Sequence, residues 1–304
     1  MSVNLMEDSK KGYLSAIFAF LLWGSMPLYM NMLSNVSTSQ IVVHRIIWSV
    51  GLLIPMLYLS KELKSFYQNI TPKNIAIYAF TALCVGSNWV LYILTVKNGR
   101  VLEASLGYFI NPLASVLLGI FILKEKLRPW QIVSVSLAAF GVAYLSFDYG
   151  RIPWFALGLA ITFAVYGLVR KLSPLGATQG LTLETLILLP VALSFLIYYI
   201  WIGESSFGHA GVSTDLWLLS TGVMTTIPLL LFNIAAQRIS LTHIGIIQYI
   251  GPSLQFITGV FLFHEAISTH RLIGFIFVWL GLLVFCSEGL IRNAQKTSVL
   301  KTSS

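Results

Sequence analysis

The chain has 304 residues, of which 57% are hydrophobic and only 10% charged. Soluble domains carry about 25% charged residues, and several apolar runs here pass the roughly 18-residue mark for a bilayer span. Composition therefore excludes a soluble globular domain and points to an all-α polytopic membrane protein. The net charge of +8 would suit nucleic acid in a soluble protein. Here the basic residues fill short gaps between apolar runs, so they read as a topology signal and no nucleic-acid partner is expected.

In chain order the apolar runs predict ten spans, at about 12–33, 38–60, 74–97, 101–123, 129–148, 152–172, 179–202, 215–237, 241–264 and 270–292. At a rise of 1.5 Å, about 20 residues cover the ~30 Å hydrocarbon core. Residues 1–11 are polar and read as a cytoplasmic tail, as do residues 293–304. The first run exceeds a signal-peptide core of about 7–15 residues, so it is expected to stay as a span. Loops are short, and the longest, around Gly203–Asp215, has no room for a catalytic domain. Cys84 and Cys286 lie inside apolar runs and read as small buried hydrophobes. No metal-spaced Cys/His cluster, glycine-rich phosphate loop or His-Glu-x-x-His motif is present, so no metal, cofactor or enzymatic activity is expected.

Lys and Arg set the orientation. With a cytoplasmic N-terminus, one side receives Lys10, Lys11, Lys61, Lys64, Lys73, Lys124, Lys126, Arg128, Arg170, Lys171, Arg238, Arg292, Lys296 and Lys301, and the other only Lys97, Arg100, Arg151 and Arg271. Fourteen against four predicts that both termini are cytoplasmic.

Two spans resemble each other. Laying Glu103–Glu125 over His243–Glu265 puts Pro112 on Pro252, Gly119 on Gly259, Phe121 on Phe261 and Glu125 on Glu265, always at a shift of 140 residues. Gly141 falls on Gly281 at the same shift. That shift spans five helices, and an odd number inverts the second copy. The expected domains are therefore two inverted five-helix repeats, 12–148 and 149–292, an arrangement common in secondary transporters. Chance similarity between two apolar helices is the competing reading.

Candidate functional residues follow from cost. Pro112 and Pro252 each remove a backbone donor, and the freed carbonyl needs a partner inside the bundle. They read as gating elements. A helical projection puts Tyr108 and Phe109 on the Pro112 face, and Gly245, Gln248 and Tyr249 on the Pro252 face. These faces suit either a cavity or simple packing. Charges within a span are functional candidates by default. Arg45, beside His44, is suited to an anionic group or a carboxylate partner; Glu184 and the shallower Glu103 are candidates to carry a coupling proton. Glu125 and Glu265 end their spans and suit caps or ion pairs. Asn88, Trp89 and Tyr92 in the third span, and Phe232 and Asn233 in the eighth, suit helix–helix hydrogen bonds or substrate contact. Trp23, beside Gly24, is the deepest of the tryptophans that would otherwise suit an interfacial belt.

Several of these residues form a pattern. Phe20-Leu21-Leu22-Trp23-Gly24, His44-Arg45-Ile46-Ile47-Trp48-Ser49, Ser87-Asn88-Trp89 with Tyr92, the run from Glu103 to Leu113, and Gln248-Tyr249-Ile250-Gly251-Pro252 resemble the RarD subgroup of the EamA family, within the drug/metabolite transporter superfamily. The resemblance covers residues 10–292. It implies the EamA fold, with ten transmembrane helices as two inverted five-helix repeats about a central cavity. It also implies outward transport of a small metabolite or drug across a bacterial inner membrane. Proteins of this subgroup are commonly labelled chloramphenicol-sensitivity permeases, and others of the same fold move amino acids.

The expected function is thus a secondary transporter with alternating access. Trp23, His44, Arg45, Asn88, Trp89, Tyr92, Tyr108, Asn111, Phe232, Asn233, Gln248 and Tyr249 form the expected substrate site. The expected partners are a small-molecule substrate and the lipid bilayer, with the chain a monomer or weak homodimer. A lipid scramblase, a non-transporting scaffold and an intramembrane enzyme are the alternatives.

Overall fold

A computed structural model describes residues 2–98, 100–150, 152–264 and 269–302. Its regular structure is helical. The helices are α1 (Ser2–Gly24), α2 (Met26–Asn31), α3 (Thr38–Leu59), α4 (Leu63–Gln68), α5 (Pro72–Lys97), α6 (Val101–Phe121), α7 (Pro129–Asp148), α8 (Trp154–Leu172), α9 (Ala177–Trp201), α10 (Val212–Arg238), α11 (Leu241–Ile247), α12 (Ile250–Phe261) and α13 (Thr269–Thr302). Ten stretches among the described residues are long and apolar enough to cross a bilayer. The first is α1 with α2, the ninth is α11 with α12, and α4 is a short connector. Glu265 lies outside the described residues.

The outer faces match the solvent. Phe18, Leu83, Phe140, Ile197 and Leu283 all point outward and are at least half exposed, a distribution that water would penalise and lipid does not. Helix ends extend past the predicted spans: α1 begins at Ser2 and α13 runs to Thr302. Outside hydrocarbon, helical backbone can continue into polar sequence, and Asp8 in the extension of α1 meets Arg238 at 2.9 Å.

Two spans are broken, and each break precedes a proline. A proline lacks the N–H for the carbonyl four residues back and its ring crowds that carbonyl. Pro27 opens α2 just past the break at Ser25. In the ninth span the break falls at Gln248 and Tyr249, ahead of Pro252. There the Gly251 amide donates to the Gln248 carbonyl at 3.1 Å and the Tyr249 amide to Ile246 at 3.2 Å, a tightened 3₁₀-like turn. By contrast α6 runs unbroken through Pro112.

The chain alternates between two ends of the bundle. At the end where α1 begins, Arg128 pairs with Glu288 at 3.0 Å, the Lys171 ammonium donates to the Ile239 carbonyl at 2.6 Å, and the Glu125 carboxylate accepts from the Leu241 and Thr242 amides at 2.7 and 2.8 Å. The basic residues of the majority side thus gather at this end. At the far end the Glu103 carboxylate accepts from the Phe155 amide at 2.8 Å and the Tyr149 hydroxyl at 2.7 Å. Each carboxylate satisfies free N–H groups of a helix start, where the dipole also favours it.

Packing is consistent with an inverted repeat. The 140-residue shift equates Phe109 with Tyr249, and the Tyr249 hydroxyl donates to the Phe109 carbonyl at 3.3 Å. Positions exchanged by a two-fold can touch only near its axis. Close approach of α11 to α6 depends on Gly245: a Cβ there would sit 2.6 Å from the Pro112 carbonyl oxygen.

Candidate substrate site

Between α1, α3, α5, α6 and α12 lies a cavity of about 160 Å³. In α5, which runs toward the far end, its lining residues fall in the second half; in α6, which runs back, they fall in the first half. The cavity therefore occupies the half of the bundle toward the far end.

Its wall is aromatic with a few polar groups. Trp23, Arg45, Asn88, Trp89, Tyr92, Tyr108, Asn111, Gln248 and Pro252, all singled out by sequence, line it. Among the described residues that line it, Arg45 alone is charged. Its Nε donates to Thr225 Oγ1 at 2.8 Å, and its guanidinium carbon lies 4.8 Å from the centre of the Trp89 ring, a cation–π arrangement. Asn88 lines the cavity but also ties α5 to α8, donating to the Leu159 carbonyl at 2.8 Å and Thr162 Oγ1 at 3.0 Å. The half-buried Asn88 thus bonds helix to helix and also borders the cavity.

Beneath the cavity is an aromatic layer. Phe232 sits 5.1 Å from Phe163, 5.8 Å from Trp23 and 5.9 Å from Tyr166. It forms the floor under the lining residues. Asn233 lies deeper, beside Tyr166 and Glu184. The Tyr166 oxygen is 3.2 Å from Glu184 Oε2 and 3.1 Å from the Asn233 amide. One hydroxyl proton cannot serve both; turning the Asn233 amide over, so that its unpartnered Nδ2 takes the place of the Oδ1 facing Tyr166, lets the hydroxyl donate to Glu184 and accept from Asn233.

The remaining predicted residues lie elsewhere. His44 is buried away from the cavity: its Nδ1 accepts from Trp48 Nε1 at 3.1 Å and its ring lies 5.2 Å from Phe207. Tyr249 is buried in a cluster with Phe109 and Phe275. Pro112 sits on the α6 face against Gly245. Glu103 caps α8, and Glu184 meets Arg170 at 3.4 Å with both side chains buried.

Some contributors were not singled out by sequence. Gln255, Phe163, Met26 and Met30 line the cavity. Gln255 lies three residues beyond Pro252, so the helical projection of that span, carried on, contains it. Phe163 lies against Trp23, ring centres 5.6 Å apart. Arg170 reads in the sequence as one of the loop charges because it stands in the last turn of α8, yet it is wholly buried. Gly180 makes room for it, because a Cβ there would collide with the Arg170 guanidinium.

Ten apolar helices around one aromatic and amide-lined pocket define a membrane transporter. A family model described as "EamA-like transporter family" matches twice, over residues 10–147 and 151–287, and the chain belongs to that family. The chain is 41% identical to an uncharacterized transporter of Vibrio cholerae over 93% of its length and 94% of the relative's. It is 39% identical to the protein RarD of Escherichia coli K12 over 96% and 99% of the two chains. A protein of Pseudomonas aeruginosa named chloramphenicol-sensitive protein RarD is 28% identical over 97% and 100%. A solved crystal structure superposes with a TM-score of 0.71 at 20% identity, covering 90% of this chain and 96% of that one, and so shares the fold.

Proposed function

We propose that the protein exports a small organic metabolite or drug, with an amino acid or related compound as the first candidate, by alternating access across the inner membrane of a bacterium. The observation that carries this reading is the cavity itself, with its aromatic wall and its amide side chains, in the half of the bundle toward the far end. Its volume lies below that of drug-sized sites, which suits a metabolite-sized solute better than a phospholipid. Both termini are assigned to the cytoplasm on the grouping of basic residues at one end.

The repeats, taken as 12–148 and 149–292, supply the movement. In an inverted pair the two halves can exchange conformations, and here span four is continuous while span nine is broken before Pro252. Exchange would break α6 near Pro112 and straighten span nine. The aromatic floor would then part, and the cavity would open toward the end that carries α1.

A coupling proton is assigned to Glu184 in preference to Glu103. Glu184 borders a void of about 10 Å³ together with Trp89 and Thr225, roughly the space of one water; Trp89 also lines the cavity, and Thr225 accepts from the cavity's Arg45. Glu103 is occupied in capping α8.

The test is flux in proteoliposomes with a panel of amino acids and phenicols. Saturable flux of at least one class supports transport, and none from any class contradicts it. If a proton gradient drives the flux, Arg170→Met/Glu184→Gln, which removes both buried charges together, abolishes the gradient response. A response that persists in this variant removes Glu184 from the role.

A further inference from the structure

Arg45 is a charge without a counter-charge. It stands eight residues into α3 counting from Thr38, about 10 Å along the helix at 1.5 Å per residue. A lone cation at such depth is costly, and is normally paired or functional. Among the described residues Arg45 hydrogen-bonds a neutral hydroxyl, Thr225, and faces an aromatic ring, Trp89, and the titratable groups around it, Tyr29, Tyr92 and Tyr108, are neutral phenols. No described carboxylate forms an ion pair with it, and among the described residues its two terminal nitrogens have no hydrogen-bond partner. Those two nitrogens form the fork that matches a carboxylate in a bidentate pair.

A second observation points to the same ligand. Asn111 and Gln248 line the same cavity and are only 5% and 6% exposed. Asn111 Oδ1 and Gln248 Oε1 have no hydrogen-bond partner, and neither amide makes a side-chain hydrogen bond to another described residue. Buried polar groups are rarely left this way. Two unpartnered amides and one unpaired guanidinium around an aromatic wall make a site that a ligand completes.

We infer that the transported solute is an organic monocarboxylate with a flat apolar body. Arg45 takes its carboxylate, Trp23 and Trp89 take its body, and the Asn111 and Gln248 amides accept from an N–H or O–H donor on the solute. The inference rests on the transport reading and narrows it: neutral amides and plain amines of the same shape are rejected, because they leave Arg45 unpaired.

Equilibrium binding to the purified, detergent-solubilised protein, measured by isothermal titration, tests this separately from transport. The probes are 3-phenylpropionate, L-phenylalanine, 3-phenylpropionamide and 2-phenylethylamine. The carboxylates are expected to bind about ten- to a hundredfold more tightly than the amide and the amine, the span of one charge-assisted interaction. Arg45→Gln collapses that ratio to near one, Arg45→Lys keeps part of it, and Asn111→Leu weakens L-phenylalanine more than 3-phenylpropionate. The wild-type ratio decides even where Arg45→Gln fails to fold. Equal binding of 3-phenylpropionamide and 3-phenylpropionate, or no binding by either carboxylate, overturns the inference. Saturable flux of some other solute in proteoliposomes would leave the transport reading standing.

Discussion

Arg170 and Glu184 meet 3.4 Å apart with 0% and 1% of their side chains exposed. Removing one member of such a pair costs about 3–5 kcal/mol, because the other is left as an uncompensated buried charge. The two removals differ. A guanidinium cannot shed its proton, whereas a carboxyl can take one up and become neutral. Glu184→Gln is therefore expected to lower the melting temperature of the purified protein more than Arg170→Met, and the double variant to recover most of the loss. Equal melting of Glu184→Gln and wild type would contradict the account of this pair. Sequence shows how far along a helix a residue lies, so it singled out Glu184. It does not show which neighbour covers a helix end, so Arg170 looked like a loop charge. The same limit explains His44, which shares the depth of Arg45 but turns toward Phe207, since adjacent residues on a helix point about 100° apart.

The paired proline spans govern the next scale. Both prolines were legible in the sequence, as was their shared shift. Their different outcomes were not: the same residue is absorbed in a continuous α6 and breaks span nine. The surrounding packing decides which occurs, and two arrangements of one motif are what a moving element requires. Pro252→Ala restores a backbone donor and favours a continuous ninth span. It is expected to leave thermal stability equal or higher while slowing solute counterflow; faster counterflow would contradict a gating role. Gly245→Val pushes a side chain into the Pro112 carbonyl and should cost about 1–3 kcal/mol from overpacking, read as a lower melting temperature. An unchanged melting temperature would mean that α11 and α6 can separate freely.

For the whole molecule, the apolar runs announced ten spans, and the structure holds ten spanning-length stretches. The alternation of ends is likewise legible, because fourteen basic residues on one side and four on the other leave little choice of threading. What composition could not reveal was the pairing of spans. The fifth packs on the tenth through α7 and α13, where a Cβ on Gly141 would sit 2.7 Å from the Gly274 carbonyl and one on Gly281 2.7 Å from that of Ser134. Small residues permit such contact between many pairs of helices, so they announce a close approach without naming the partner. The cavity was legible as a set of costly residues, and its position toward the far end emerged only from the packing.

The central claim is one site reached in turn from both faces. It is tested most directly by placing a single cysteine in the cavity, Asn111→Cys, in a chain carrying Cys84→Ala and Cys286→Ala. A membrane-impermeant thiol reagent is then applied to right-side-out and to inside-out vesicles. The account predicts labelling from each face, slowed on both by a saturating transported solute. Labelling from one face alone, or from neither, would contradict it.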